Sequence, residues 1–310
     1  MKPKIFIDGE HGTTGLQIRT RLAGRDDIEI ISVPAERRKE AAARAEFLNA
    51  ADIAILCLPD DAARESVSLI ENDRTRVIDA STAHRVAEGW AYGFAEMDAA
   101  QGKTIAAAKR VANPGCWPQG PIAMLRPLIA AGLLPADYPV TMHGISGYTG
   151  GGRSMIDDYV GKGEDAPEFL PYGLTFQHKH VPELKKYSGL ARDPLMQPAV
   201  GNFAQGMVTS VPLHLDALER VPTGAELHAA IADHYAGIKD SAVEVAPYEP
   251  TERTPQLDPE VLNDTNRMRL HVFANDKRGQ AALVAVYDNL GKGASGAAVQ
   301  NLDLMLGLQG

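Results

Sequence analysis

The chain carries only two cysteines, Cys57 and Cys116, in 310 residues. Two thiols cannot build a disulfide framework, and a reduced cytosol suits a working thiol. No run of about 18 apolar residues occurs, so no membrane-spanning helix is expected. Met1-Lys2-Pro3-Lys4 leads straight into a short apolar strand and lacks the apolar stretch of a signal peptide, which fits a cytoplasmic protein. Long basic runs are missing too. The formal charge is −9, from 31 basic and 40 acidic residues, which argues against nucleic acid as a partner. An acidic balance still permits an anionic substrate, because local cations decide that. Neither an internal repeat nor a low-complexity tail is present. What remains is an ordinary soluble composition, 45 % apolar and 23 % charged, long enough for two domains with a large core.

The first third alternates short apolar runs with helical patterns. Residues 4–7, 28–33, 53–58 and 76–79 read as strands, and residues 16–22, 36–49 and 62–71 as helices. That alternation predicts a parallel, doubly wound sheet. Beyond Cys116 the pattern changes. Residues 122–134 read as a helix, 140–146 and 208–215 as strands, 161–173 as loop, and 226–236 as a helix. Residues 268–275 and 280–287 flank Asp276-Lys277-Arg278-Gly279 as an antiparallel hairpin. Residues 293–306 form a last amphipathic helix, with Ala298, Leu302 and Leu306 on one side. Long strands with few helices between them predict a mixed or antiparallel second sheet.

Four segments could carry chemistry. In Asn113-Pro114-Gly115-Cys116-Trp117-Pro118, turn residues flank the cysteine, and Pro121 opens the following helix. The thiol is thus expected at a helix N-terminus, beside unpaired amides that lower its pKa and favour a nucleophile. A small apolar residue capping a packed helix is the alternative. Cys57, inside an apolar strand, reads as buried and inert.

The turn Gly9-Glu10-His11-Gly12-Thr13-Thr14-Gly15 has the spacing Gly-x-x-Gly-x-x-Gly between a strand and a helix. It either cradles a dinucleotide pyrophosphate or is a plain strand–helix turn. After the second strand comes Glu36-Arg37-Arg38-Lys39, three cations that suit the extra phosphate of NADP, with Glu36 pulling toward NAD. Third, Phe176-Gln177-His178-Lys179-His180-Val181-Pro182-Glu183 sets two imidazoles two residues apart. In a strand both rings would share a side. Glu183 could hold the tautomer of a neighbouring imidazole. Two histidines and a carboxylate could instead bind zinc, or simply lie in a surface loop. Fourth, Gly147-Tyr148-Thr149-Gly150-Gly151-Gly152-Arg153 is either an anion-binding concavity with Arg153 as its cation or a flexible loop.

Together these segments, with Asp79-Ala80-Ser81-Thr82-Ala83-His84-Arg85 and Asn289-Leu290-Gly291-Lys292-Gly293-Ala294-Ser295-Gly296, resemble the short-form N-acetyl-gamma-glutamyl-phosphate reductases over essentially the whole chain. That family shares its plan with the aspartate-semialdehyde dehydrogenases. The resemblance implies a Rossmann-type NADP-binding domain over residues 1–115, an α+β catalytic and dimerisation domain over 116–285, and a C-terminal helix over 286–310 returning to the first. It implies a homo-oligomer, dimer or tetramer, and a small acyl-phosphate substrate with no metal. Cys116 would attack the acyl phosphate to form a thioester, which NADPH reduces. His180, or failing that His178, would act as base and then acid. Gly9, Gly12, Thr13, Thr14, Gly15, Arg37, Arg38, Ser81, Asn289 and Lys292 would meet the cofactor. Asn113, Arg110, Ser146, Gly147, Arg153 and Glu183 would meet the substrate. Two other readings stay open: a cysteine hydrolase with a merely structural glycine turn, and an NADP-sensing protein that does not catalyse.

Overall fold

Residues Ile5, Phe6, Ile7 and Ile53, Ala54, Ile55, Leu56 are apolar on both faces of their strands, the pattern of a parallel sheet covered by helices on either side. In the computed structural model, which describes residues 1–38, 40–248 and 256–308, they are neighbouring central strands. The chain divides into two units. The first comprises Met1–Ala95, Ala100–Gly115 and Ala294–Gly310; the second comprises Glu96–Ala99 and Cys116–Gly293.

The first unit runs β1 (Lys4–Asp8), α1 (Thr13–Leu22), β2 (Glu29–Ile31), α2 (Ala41–Ala50), β3 (Ile53–Leu56), α3 (Asp60–Ser68), β4 (Arg76–Asp79), β5 (Ala91–Tyr92), α4 (Gln101–Ala107) and β6 (Arg110–Ala112). Its sheet has the order β2-β1-β3-β4-β6-β5, and every pair is parallel. The order reverses between β1 and β3, so the crevice beyond their carboxyl ends is the place where such sheets bind ligands. The helix expected over residues 36–49 is broken. A 3₁₀ turn, Ala35–Arg37, precedes α2, which starts at Ala41. The terminal helix, Gly296–Leu306, packs Ala298, Leu302 and Met305 onto the core around Ile5, Ile55 and Ile78. Leu302 is fully buried there, so Leu302→Ala should lower stability by about 2–5 kcal/mol in urea unfolding.

The second unit contains α5 (Cys116–Ala130), β7 (Thr141–Gly147), α6 (Gly152–Lys162), β8 (Phe169–Pro171), α7 (Val181–Ser188), β9 (Leu195–Gly201), β10 (Met207–His214), α8 (Gly224–Ala236), β11 (Val243–Val245), β12 (Met268–Asn275) and β13 (Gln280–Tyr287). Its sheet is mixed, in the order β11-β12-β13-β10-β7-β9-β8, with β7–β9 and β11–β12 parallel. The expected hairpin is present as β12 and β13, with Gly279 in the left-handed region at φ +58° closing its turn. The stretch read as loop holds the end of α6 and the short strand β8. The terminal helix begins three residues later than expected, because Gly291–Ser295 forms a π-helical turn in which the Gly293 amide donates to the Asp288 carbonyl at 2.8 Å.

Candidate active site

In the first unit, β1 delivers the chain into the glycine turn. Gly9 adopts φ +90°, and a Cβ there would lie 2.4 Å from the Cys57 carbonyl oxygen. A Cβ on Gly15 would lie 2.3 Å from the Gly9 oxygen. Both positions therefore admit only glycine, and α1 can start hard against the strand end. Gly12 caps α1 without a side chain, and the helix's first turn, with Thr13 and Thr14, carries no acidic residue. Its positive end is left for an anion. The crevice over this turn is lined by Asp8, Gly9, Glu10, His11 and Gly12 together with Arg38 and Arg44.

Arg38 is thus placed at the crevice, and Arg37 is not among its lining residues. Arg37 pairs with Glu40 and Glu46, each at 3.2 Å. Lys39, the third cation of that run, lies outside the described residues. Arg44 was missed in the sequence because it sits within an alanine-rich helix. It reaches the Ser66 hydroxyl at 2.5 Å and Asp8 at 3.3 Å. Glu10 does not sit in the crevice as a bare charge, since Arg19 and the Ser32 hydroxyl both donate to it.

At the end of β4, the fully buried Asp79 accepts from the Ser81 amide at 2.9 Å, the Ser81 hydroxyl at 2.8 Å and His84 Nδ1 at 2.5 Å. His84 stacks on Trp90 with centroids 4.0 Å apart, and the Arg110 guanidinium lies 5.7 Å from the same ring. Burial lowers the Arg110 pKa from its ordinary value. Asn113 is wholly buried, with its amide donating to the Ala294 carbonyl and accepting from Asn301, both at 3.0 Å. Its side chain therefore ties the strand end to the terminal helix. Burial, then the charges of Asp79 and Asp8, push the Cys57 thiol up to about 12, so its thiolate is strongly disfavoured.

In the second unit, Cys116 is the first residue of α5 and is half-buried. Gly293 presses against it, and a Cβ on that glycine would lie 2.8 Å from Cys116 Cβ. A file of rings starts at the neighbouring Trp117. Its centroid is 6.5 Å from Tyr172, Tyr172 is 5.8 Å from His178, and His178 is 4.8 Å from His180. Burial and then the Cys116 charge hold the Tyr172 hydroxyl above its ordinary pKa, which sets that phenol in the thiol's electrostatic neighbourhood.

The histidine segment is a turn and not a strand. The Val181 amide bonds back to the His178 carbonyl at 3.0 Å, and His180 is the N-cap residue of α7. The rings still meet, because the turn folds one over the other. The His180 amide donates to His178 Nδ1 at 3.2 Å. Burial, then the Lys179 charge, lowers the His178 pKa to about 4. His180 and Glu183, 6 % and 1 % exposed, sit at the start of α7, where the dipole favours a carboxylate.

Several expected groups are engaged elsewhere in this unit. Ser146 is buried near the end of β7, and the Gly147 amide donates to the Gly206 carbonyl at 2.9 Å. The Asn289 side chain accepts from the Gly206 amide at 2.7 Å and donates to Thr149 at 3.1 Å. Lys292 is buried in an ion pair with Glu96 at 2.6 Å. Arg153 points into solvent and pairs with Asp157 at 2.9 Å, one turn along α6. Among the described residues, no group of three His, Cys, Asp or Glu side chains is placed to hold a metal ion.

Residues 4–105 match the family model of the semialdehyde dehydrogenase NAD binding domain, and residues 116–289 match that of the semialdehyde dehydrogenase dimerisation domain. Aspartate semialdehyde dehydrogenase II from Vibrio cholerae has the same fold, with a TM-score of 0.72 at 14 % identity over 99 % of each chain. An aspartate semialdehyde dehydrogenase with NADP from Candida albicans gives a TM-score of 0.67 at 15 % identity, again over 99 % of each chain. A curated N-acetyl-gamma-glutamyl-phosphate reductase from Mesorhizobium japonicum is 79 % identical over 308 residues, 99 % of this chain and 100 % of the relative. One from Sinorhizobium medicae is 57 % identical over 311 residues, 99 % of each chain. Identity of that order along the whole length, on a fold that carries both matched domains, means that the chain belongs to the N-acetyl-gamma-glutamyl-phosphate reductases.

Proposed function

We propose that this enzyme reduces N-acetyl-glutamyl 5-phosphate to N-acetyl-glutamate 5-semialdehyde with NADPH, through a thioester on Cys116. The observation that carries the reading is the cysteine at the first position of α5, linked through Trp117 and Tyr172 to two neighbouring imidazoles. The Cys116 thiolate attacks the acyl carbon, the carbon–oxygen bond to phosphate breaks, and inorganic phosphate leaves. The nicotinamide cofactor supplies the hydride that reduces the resulting thioester. His180 protonates the tetrahedral oxyanion, then takes that proton back as the carbonyl re-forms and the thiolate departs.

The cofactor's pyrophosphate suits the turn of Gly9, Gly12, Thr13, Thr14 and Gly15, where two glycines are sterically required and the helix start is uncapped. Arg38 and Arg44, which line that crevice, support NADP over NAD. For the anionic substrate, Arg110 keeps a buried Nη1 that has no hydrogen-bond partner among the described residues. A cleft of the second unit, lined by the half-buried Ile145 and Val208 and by the exposed Phe169 and Leu174, supports a homo-oligomer. A reactive thiol with so few cysteines fits a reducing cytoplasm.

The direct test is the reverse reaction. N-acetyl-glutamate 5-semialdehyde should reduce NADP only when inorganic phosphate is present, and faster than aspartate semialdehyde does. Equal rates with both aldehydes would remove the substrate assignment; NADP reduction without phosphate would remove the acyl-phosphate chemistry.

Cofactor choice has its own variant. Arg38 is exposed, so Arg38→Ala should weaken NADPH binding by about 1.5 kcal/mol, the low end for a charged hydrogen bond and roughly tenfold in Kd. NADH binding, followed by cofactor fluorescence, should hardly change. Equal weakening of both would show that Arg38 does not read the extra phosphate.

A further inference from the structure

We propose that Tyr287 is a positioning residue for Cys116, its hydroxyl bracing the first turn of α5 and so setting the reactivity of the thiol. The inference rests on Cys116 being the nucleophile.

Tyr287 ends β13 and is fully buried. Its hydroxyl donates to the Cys116 carbonyl at 2.7 Å and accepts from the Gly120 amide at 3.3 Å. Those are the two backbone groups that an α-helix pairs with each other, residue i to residue i+4. The phenol therefore cross-links the turn that carries the thiol. This turn needs outside support, because Pro121 has no amide to offer the Trp117 carbonyl. Gly120 makes room for the brace. A Cβ there would lie 2.3 Å from the Thr209 hydroxyl and 2.9 Å from the Tyr287 ring.

A second tyrosine supports the helix further along. Pro127 deprives the Ala123 carbonyl of its helical donor, and the Tyr235 hydroxyl, from α8, fills that place at 2.8 Å. Two buried tyrosines thus stitch one proline-interrupted helix, one at the thiol and one two turns away. Only the first also shares its segment with the rest of the cysteine's surroundings. Just beyond β13, the Lys292 carbonyl accepts from Gln119 at 2.7 Å, and Gly293 abuts Cys116. Burial, then the Cys116 charge, raises the Tyr287 pKa above its ordinary value, so the hydroxyl remains a donor through the working pH range.

The chemical consequence follows from geometry. Thiolate stability depends on the first-turn amides, and attack depends on sulfur placement within a fraction of an ångström. Tyr287→Phe keeps the ring and deletes one oxygen. It should fold, keep its KM values for semialdehyde and NADP, and lose about ten- to a hundredfold in kcat. Cys116 alkylation by iodoacetamide, followed against pH, should slow and shift its midpoint upward. Cys57, with its thiol pushed up to about 12, will not obscure that reading.

Tyr235→Phe is the control. It removes an equivalent hydroxyl from the same helix and should lower the thermal midpoint similarly, yet leave kcat and the alkylation profile unchanged. A wild-type kcat and profile in Tyr287→Phe would overturn the proposal. So would equal changes in both variants, which would mean that any loosening of α5 suffices. If Tyr287→Phe does not fold, Gly120→Ala, which crowds the ring with its hydroxyl intact, must shift the profile the same way, and an unchanged profile there is equally fatal. Alkylation is read on the thiol itself. It therefore separates this proposal from the covalent mechanism, which stands or falls on the turnover of a Cys116→Ser variant.

Discussion

Cys116→Ser should fold, bind NADPH as tightly as the parent, and turn over at least about a hundredfold more slowly, because an alcohol near neutral pH is a far poorer nucleophile than a thiolate. Serine is the closest match in shape, and a helix start tolerates it well. The Cys116 carbonyl keeps its bond from Tyr287, since that bond involves only the backbone of residue 116. Cofactor affinity should hold because the residues lining the glycine-turn crevice do not include residue 116. The variant thus separates binding from chemistry. Steady-state rates would measure the loss, and rapid mixing with the acyl phosphate should show a stoichiometric burst of inorganic phosphate in the parent that the variant lacks. Cys57→Ala is the companion. That thiol is packed against the first unit's core and titrates far above neutrality, so its loss should leave kcat near the parent value. Turnover near the parent's in Cys116→Ser would end the thioester mechanism.

How much of this was legible in the sequence depends on what kind of signal each element carries. The parallel sheet was readable because β1, β3 and β4 are nearly unbroken apolar runs ending in turn residues, a pattern with few alternatives. The β12–β13 hairpin was readable because two strand-like runs flank Asp276-Lys277-Arg278-Gly279. β9 was not, because Pro198 sits mid-strand and proline normally argues against one; here the Pro198 carbonyl still accepts from the Tyr172 amide at 3.0 Å. α6 was hidden by the glycines at its start. α7 had clear punctuation, with Pro182 in its first turn and Gly189 in the left-handed region just past its end. That pattern could have placed His180 at a helix start. Placement was legible where it rests on local chain geometry, as with Cys116 at the start of α5 and the glycine turn before α1. It was obscure where a cation's partner is remote in sequence. Nothing near Lys292 announces that Glu96 will neutralise it in the interior, and nothing near Arg44 announces that it lines the crevice over the glycine turn. Tyr287 is the same case, a strand residue whose role exists only because β13 ends beside α5.

The two histidines should separate kinetically. His180→Ala is expected to cut kcat by about a hundred- to ten-thousandfold, the usual worth of general acid–base catalysis. His178→Ala should chiefly raise the KM for the acyl phosphate, as removal of a contact common to ground and transition states does. Their local structures give the reason. His178 Nδ1 accepts the His180 amide, so a neutral His178 carries its proton on Nε2 and can only donate through that atom. Its pKa of about 4 keeps it neutral from pH 5 to 8 and makes it a weak base. A fixed donor beside Tyr172 suits an oxygen of the substrate. His180 is held differently, with its backbone fixed at the N-cap of α7 and its ring against that of His178. Glu183 is buried in the first turn of the same helix, where the helix dipole favours its carboxylate. The pH profiles carry the decision. The acid limb of kcat in the parent should survive in His178→Ala. An acid limb near pH 4, or a collapse of kcat in His178→Ala with only a raised KM in His180→Ala, would exchange the two roles.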